Sequence, residues 1–112
     1  MKDNKELVSL VENLKKAQKP IWKRVAKELS KPRRRRVHVN LSKIEQHAKA
    51  DSVILVPGKV LGSGNLSKKV TIAAFAFSDS AKKLIDKVGG KAITIESLQK
   101  SNPTGKGVTI MG

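Results

Sequence analysis

The sequence predicts a single α/β domain, because segments with strand character alternate with segments of helical periodicity. The clearest strand is residues 53–56, a continuous apolar run before Pro57-Gly58 that is typical of a strand buried on both faces. The clearest helix begins after Ser78, a residue type that favours helix starts, and ends at Gly89-Gly90, which favours a left-handed stop. A length of 112 residues fits one such domain and is too short for two ordinary ones.

Two helices are predicted before the first strand. Residues 4–18 carry apolar side chains at helical spacing, and Asp3 with Glu6 resembles a capping box at their start. Residues 21–29 form a second apolar stripe with a basic opposite face. Trp22 lies on that stripe, so we interpret it as a core anchor rather than as a residue that stacks on nucleic-acid bases.

Short strands and helices are predicted in the rest of the chain. Residues 37–41 alternate and indicate an extended stretch, after which Asn40 or Ser42 caps a helix that continues to about residue 50. Ser42 with Glu45 has the spacing of a capping box. The later predicted elements are a glycine-rich connection at 58–65, a second core strand at 69–77, a helix from Ser78, a third strand at 92–95, a helical turn at 96–100 and a final edge strand at 108–111.

The charge of the chain is strongly positive and is concentrated in one segment. The 24 Lys and Arg residues against 9 Asp and Glu residues give a net charge of +15. Residues 15–36 hold all five arginines, four of them consecutive, and only one carboxylate, Glu28. Because arginine's planar donor fork suits phosphate, this segment favours a nucleic-acid partner over a membrane surface or an acidic protein. A solvated basic face or a nuclear-import signal is the alternative interpretation.

Several classes of catalytic and cofactor site are excluded by the residues present. The chain has no cysteine, which removes disulfides, iron–sulfur clusters and thiol chemistry. His38 and His47 lack the companions of a metal site, which favours a surface or phosphate-facing role. The nine carboxylates are scattered and offer no acid–base pair, and no serine lies in a nucleophile elbow. We therefore predict that the protein is not an enzyme and needs no cofactor or small-molecule substrate.

The glycine-rich segment 58–64 is similar to a phosphate-binding loop but has neither the Walker nor the dinucleotide spacing. A tight turn, for which Gly62 and Gly64 supply φ values above zero, fully explains this segment and is the favoured interpretation. Lys59, Lys68 and Lys69 around this loop form a second candidate patch for backbone contacts.

We also expect a cytoplasmic protein with no membrane contact. No apolar run approaches the roughly 18 residues of a membrane span, and the residues after Met1 do not resemble a signal peptide.

Several motifs together resemble a known family. They are KELSKPRRRR at 27–36, VNLSKI at 39–44, VPGKVLGSG at 56–64 and KVTIAAF at 69–75, followed by Phe77-Ser78, Gly89-Gly90 and the segment 102–108. In order and spacing they resemble the archaeal and eukaryotic ribosomal protein L-eighteen-e family over nearly the whole chain, and the compact length resembles the archaeal type. The resemblance implies a structural component of the large ribosomal subunit that binds large-subunit ribosomal RNA and contacts neighbouring ribosomal proteins. It also implies the fold of bacterial ribosomal protein L-fifteen, an irregular β-β-α superhelical α/β domain, here preceded by a basic helical N-terminal region.

These observations lead to one function hypothesis and two alternatives. We expect one domain over 1–112, with a basic helical region at 1–36 and an α/β core at 37–112, that contacts mainly RNA phosphates and 2′-hydroxyls. The first alternative is a nucleic-acid-modifying enzyme or a nucleotide-dependent factor, which would need a pocket that the glycine spacing does not provide. The second is an architectural DNA-binding protein, which would have little preference for RNA. The residues predicted to contact RNA are Lys23, Arg24, Lys27, Lys31, Arg33, Arg34, Arg35, Arg36, Lys43 and Lys59.

Overall fold

The protein folds around a sheet of parallel strands with helices on both faces. The computed structural model describes residues 5–16, 19–31, 37–62, 64–105 and 107–111, and within them five strands form one sheet. The strands are β1 (Val37–Asn40), β2 (Val53–Leu61), β3 (Thr71–Phe77), β4 (Lys91–Thr94) and β5 (Val108–Ile110). The helices are α1 (Lys5–Lys16), α2 (Pro20–Leu29), α3 (Leu41–His47), α4 (Asp79–Lys87) and α5 (Ile95–Ser101).

The central strand of this sheet is β2. Its pairing with β3 is parallel and begins at Val53, and β4 pairs with the first four residues of β3. The other edge of β2 pairs with two short strands, one after the other. The strand β5 pairs with Val53 to Leu55, and β1 pairs with Gly58 to Leu61. All four pairings are parallel. The predicted α/β class is therefore confirmed, and the strand predicted at 53–56 is the central one.

Two hydrophobic cores lie on opposite faces of the sheet. Alternate residues of β2 supply them, since Ile54 and Val56 point to one face and Leu55 points to the other. The α2-side core consists of Leu10, Leu14, Trp22, Val25, Ala26, Leu29, Leu55, Ala73, Ile95 and Leu98. The α4-side core includes Val39, Leu41, Ile44, Ile54, Val56, Val60, Ile72, Ala74, Ala81 and Ile85. The predicted burial of residues 53–56 on both faces is thus confirmed for the fully buried Ile54, Leu55 and Val56.

The prediction that β2 ends at Pro57-Gly58 was wrong. The strand continues to Leu61, with a register irregularity between Val56 and Lys59 where it carries one more residue than β3. Such a bulge accommodates a proline, which has no N–H for the ladder. At Gly58 an added Cβ would lie 2.0 Å from the Val37 carbonyl oxygen, so the close approach of β1 requires glycine there.

The ends of α4 agree with the sequence signals, whereas at the start of α3 only Asn40, one of the two predicted caps, takes the N-cap position. The Ser78 side chain accepts a hydrogen bond from the Ala81 amide, and Gly89 has a φ of +77°. The N-cap of α3 is Asn40, which makes no side-chain capping bond, and Ser42 lies inside the helix. The capping box predicted for Ser42 and Glu45 was therefore wrong.

Other predicted boundaries differ by a few residues. The helix predicted to extend to about residue 50 ends at His47. The first helix covers Lys5–Lys16, and the predicted residues 17 and 18 lie outside the described residues. The strand β4 ends at Thr94 because the Thr94 hydroxyl caps α5 by accepting a hydrogen bond from the Ser97 amide.

Trp22 connects α2 to the segment before β5. Its side chain is fully buried in the α2-side core, which confirms its predicted role as a core anchor. The indole Nε1 donates a hydrogen bond to the Pro103 carbonyl oxygen at 2.6 Å. This bond satisfies the polar edge of a buried indole, as buried tryptophans usually require.

We expect Trp22→Ala to lower the free energy of unfolding by about 3–5 kcal/mol, because it leaves a large cavity in the α2-side core. Trp22→Phe keeps most of the apolar volume and should cost less. Denaturant unfolding followed by circular dichroism measures both. The control is Val8→Ala, at a side chain 49% exposed, which should change the free energy by less than about 0.5 kcal/mol. Equal effects at Trp22 and Val8 would contradict this account.

Candidate nucleic-acid interface

The outer face of α2 is a row of cationic side chains. Lys23, Arg24 and Lys27 are exposed, while Trp22, Val25, Ala26 and Leu29 on the opposite side of the helix are buried. Lys19, the N-cap residue, is exposed one turn before Lys23. We call Lys19, Lys23, Arg24 and Lys27 the α2 basic surface. Lys19 belongs to the basic segment of the sequence but was not among the predicted contact residues; its four-residue spacing from Lys23 is the signal that could have identified it.

A shallow depression runs along this surface. Lys23, Ala26, Lys27 and Ser30 line it, with a volume of about 460 Å³. The Ser30 hydroxyl donates a hydrogen bond to the Ala26 carbonyl oxygen at 2.7 Å, which keeps this side chain close to the helix. Because Ala26 and Ser30 are small, an anionic backbone can approach between the two ammonium groups.

The α2 basic surface has little compensating negative charge. Glu28 forms a salt bridge of 2.9 Å with Lys31, which is half-buried at the end of the helix. Within the described ranges, no carboxylate forms a salt bridge with Lys23, Arg24 or Lys27. These three charges are therefore directed to solvent, where they can interact with an anionic partner.

Lys59 lies beside His38 on the neighbouring strand. The two residues are register partners of β2 and β1, and both are exposed. The residue that follows each of them along its strand belongs to the α4-side core. Because side chains alternate between the faces of a sheet, His38 and Lys59 point to the opposite face, which is the face that α2 packs on. Strands in a sheet are separated by about 4.8 Å, which places the imidazole and the ammonium group side by side.

The predicted contact residues do not form one continuous patch. Lys43 is exposed on α3, which packs on the α4-side core, and it therefore lies in the layer opposite α2. The molecule is 18 Å across in its thinnest direction. Arg33, Arg34, Arg35 and Arg36 lie outside the described residues.

Lys68 is engaged in holding the end of α3. Its ammonium group donates hydrogen bonds to the carbonyl oxygens of Glu45 at 2.7 Å and Ala48 at 2.8 Å. The Glu45 carboxylate accepts hydrogen bonds from the Ser67 amide at 3.0 Å and from the Ser67 hydroxyl. Of the second patch predicted around the glycine-rich loop, Lys59 and Lys69 are exposed, but Lys68 serves as a helix cap.

The glycines of that loop permit close packing. An added Cβ at Gly62 would lie 2.5 Å from the Ala81 amide nitrogen, and the Gly62 amide donates a hydrogen bond to the Ser78 hydroxyl. Gly64 has a φ of +89°, as expected for a turn glycine, whereas Gly62 is required by its proximity to α4. Among the described residues, no cluster of His, Asp and Glu could hold a metal ion, and no helix is long and apolar enough to cross a membrane.

Comparisons with known proteins give consistent matches along the chain. A family model described as ribosomal protein 60S L18 and 50S L18e matches residues 3–112. The large ribosomal subunit protein eL18 of Methanococcus maripaludis is 51% identical, over 99% of this chain and 96% of the relative. The protein of the same name from Archaeoglobus fulgidus is 47% identical, over 98% and 97%, and that from Methanothermobacter thermautotrophicus is 42% identical, over 98% and 94%.

The contact between Glu45 and Ser67 makes stability depend on pH. The hydrogen bond from the Ser67 side chain, with those from the Ser67 and Lys68 amides and the Lys68 charge, lowers the pKa of Glu45 below its usual value, although burial partly opposes this. Because the pKa is lower in the folded state, the stabilisation is present above the unfolded-state value and disappears as the pH falls through the folded-state value.

We therefore expect Glu45→Gln to lower the melting temperature at about pH 7 and to have a smaller effect at about pH 3. Ser67→Ala removes the principal hydrogen-bond donor to the Glu45 carboxylate. The pH dependence of its melting temperature should therefore be closer to that of Glu45→Gln than to that of the wild type. Thermal unfolding of the wild type and both variants across pH measures this. An effect of Glu45→Gln that is equal at both pH values would refute the role of the carboxylate charge.

Proposed function

Since the chain belongs to the family of ribosomal proteins 60S L18 and 50S L18e, we propose that it binds large-subunit ribosomal RNA mainly through phosphate and 2′-hydroxyl groups. As a member of this family it is a structural constituent of the large subunit of the cytoplasmic ribosome, with ribosomal RNA and ribosomal proteins as its general partners. It is therefore not an enzyme.

The observation that carries the proposed binding mode is the α2 basic surface. A helix that buries four side chains on one face holds Lys23, Arg24 and Lys27 at fixed positions on the other. Cations that neutralise phosphates release condensed counterions, which supplies much of the affinity of proteins for nucleic acid. The low local density of carboxylates leaves this surface free for such contacts.

Backbone contacts are favoured because the aromatic residues lie elsewhere. The chain has three, Trp22, Phe75 and Phe77. Trp22 is fully buried, and the two phenylalanines are half-buried against the cores. Proteins that read unpaired RNA bases usually stack them on exposed aromatic side chains, and the α2 basic surface has none.

The positions of the other predicted residues define how RNA would have to lie. Contacts of Arg33, Arg34, Arg35 and Arg36 would continue those of α2 along the sequence, and Lys59 lies on the same side of the sheet as α2. A contact at Lys43 requires a second RNA segment or one that passes around the sheet edge, because α3 lies in the opposite layer. The packing of α1 and α2 on β2 and β3 supports one domain over 1–112, in which 1–36 supplies most of the proposed contacts and 37–112 supplies rigid support together with Lys43 and Lys59.

Binding to RNA and to DNA distinguishes this proposal from an architectural DNA-binding protein. We expect tighter binding to large-subunit ribosomal RNA than to duplex DNA of equal length, with a salt dependence that corresponds to roughly five to ten phosphate contacts. Titration of the full chain against both, repeated across salt concentrations, measures this. Equal affinities would favour the DNA-binding alternative, and absence of binding to either would exclude both.

A charge-matched pair of triple variants tests the α2 basic surface. We expect replacing Lys23, Arg24 and Lys27 with Ala to weaken binding and to reduce the salt slope by about one for each lost phosphate contact. The control replaces Lys49, Lys83 and Lys87, three exposed lysines away from α2, with Ala and so removes the same charge. Equal effects of the two triple variants would show that net charge alone determines affinity.

The double variant Arg34→Ala, Arg35→Ala should also weaken binding with little loss of stability.

A further inference from the structure

One edge of β3 is only partly occupied. The strand β4 pairs with Thr71 to Ala74 and then ends at Thr94, where the chain turns into α5. On this side of β3, no strand among the described residues pairs with the segment 75–77. The end of β4 therefore leaves a notch in the sheet, about three residues long, which we call the β3 notch.

The same sheet already accommodates two short strands in line on one edge. On β2, the strand β5 pairs with Val53 to Leu55, and β1 then pairs with Gly58 to Leu61. The β3 notch corresponds to the second of these positions on β3. The strand β4 occupies the first position, and no strand from the described part of the chain occupies the second. A short extended segment in the notch would repeat an arrangement that the fold already contains.

Two cavities flank the notch. A groove of about 720 Å³ is lined on its α4 side by Phe77, Lys82, Ile85 and Asp86. A smaller cavity of about 330 Å³ is lined by Leu10, Ile95 and Glu96. Ala74, Phe75 and Thr94 line both. Because side chains of a strand alternate between the faces of its sheet, a strand in the notch would direct successive side chains into the two cavities.

We propose that the β3 notch binds an extended segment of a neighbouring protein, which pairs with β3 in line with β4. A strand edge that no neighbouring strand pairs with is complemented by an extended polypeptide, which adds to the sheet through main-chain hydrogen bonds, and not by RNA. The segment would carry a large apolar side chain for the groove beside Phe77. An acidic residue two positions along the segment, which faces the same groove, would complement Lys82 and Lys91, whose charges exceed that of Asp86 at the groove.

This contact is independent of the proposed RNA contacts. None of the residues that line the two cavities belongs to the α2 basic surface. The notch lies on the β4 side of the sheet, whereas β1, with His38, forms the other end of the strand order.

Photocrosslinking in assembled particles tests the proposal. Phe77 is replaced by p-benzoylphenylalanine, a photoreactive derivative of phenylalanine whose added benzoyl group extends into the groove, in a full chain that replaces the resident relative of an archaeal host. Large subunits are isolated and irradiated, and the crosslinked product is identified by mass spectrometry. We expect crosslinks to one contiguous segment of one protein.

The control is a pair of variants that add equal bulk. Ala92→Phe fills the groove from an exposed position of β4, whereas Thr109→Phe adds the same side chain at an exposed position of β5. We expect Ala92→Phe to abolish the crosslink and Thr109→Phe to retain it. Crosslinks to ribosomal RNA, crosslinks scattered over several proteins, no crosslink, or a crosslink that Ala92→Phe leaves unchanged would each overturn the proposal.

The amount of chain recovered in the large-subunit fraction is measured first. Poor recovery of every variant would argue against the proposed RNA contacts. The proposal for the β3 notch is tested separately, because the crosslinked partner is identified only on protein that has been incorporated into large subunits. If Ala92→Phe alone is not incorporated, the crosslink formed without that substitution still decides whether the partner is a protein segment or RNA.

Discussion

The burial of β2 on both faces is the constraint on which the rest of the structure depends. Ile54 and Val56 require one apolar layer, and Leu55 requires another on the opposite side. A chain of this length satisfies both by placing α3 and α4 on one face and α1, α2 and α5 on the other. Each helix then has one apolar side toward the sheet, so the cationic side chains are confined to the outer surfaces of the two helical layers or to the exposed parts of the sheet.

This constraint links the stability of the α2-side core to the position of the α2 basic surface. Trp22, Val25 and Leu29 fix the rotation of the helix, and the helical repeat then determines where Lys23 and Lys27 point. Neighbouring like charges repel, so the basic surface reduces the stability of the free protein. Phosphate groups between these charges would remove the repulsion. The packed core therefore maintains a charge arrangement that an anionic partner would make more favourable.

The sequence predicted features that are set locally and missed those that are set by distant residues. Ser78 and Gly89 act within a few residues of themselves, so their capping roles were predictable. Pro57 was taken as a strand end because the pairing of β1 beyond it is not visible in the local sequence. Glu45 was assigned to a helix cap, whereas its partner Ser67 is 22 residues away. At the candidate site, the periodicity of α2 placed Lys23, Arg24 and Lys27 on an exposed face, but it could not show that Lys43 lies in the other layer.

The division of the sheet edges explains how one small domain can offer two kinds of recognition. Short strands such as β1, β4 and β5 cover only parts of the long strands beside them. The second position on β2 is filled by β1, whereas no strand within the described ranges fills the corresponding position on β3. Main-chain pairing at that position depends on strand geometry and apolar cavities, and salt screens it little. The proposed phosphate binding by α2 would depend on charge and would weaken as salt increases. Because the two surfaces differ in both location and physical basis, each can be occupied without interfering with the other.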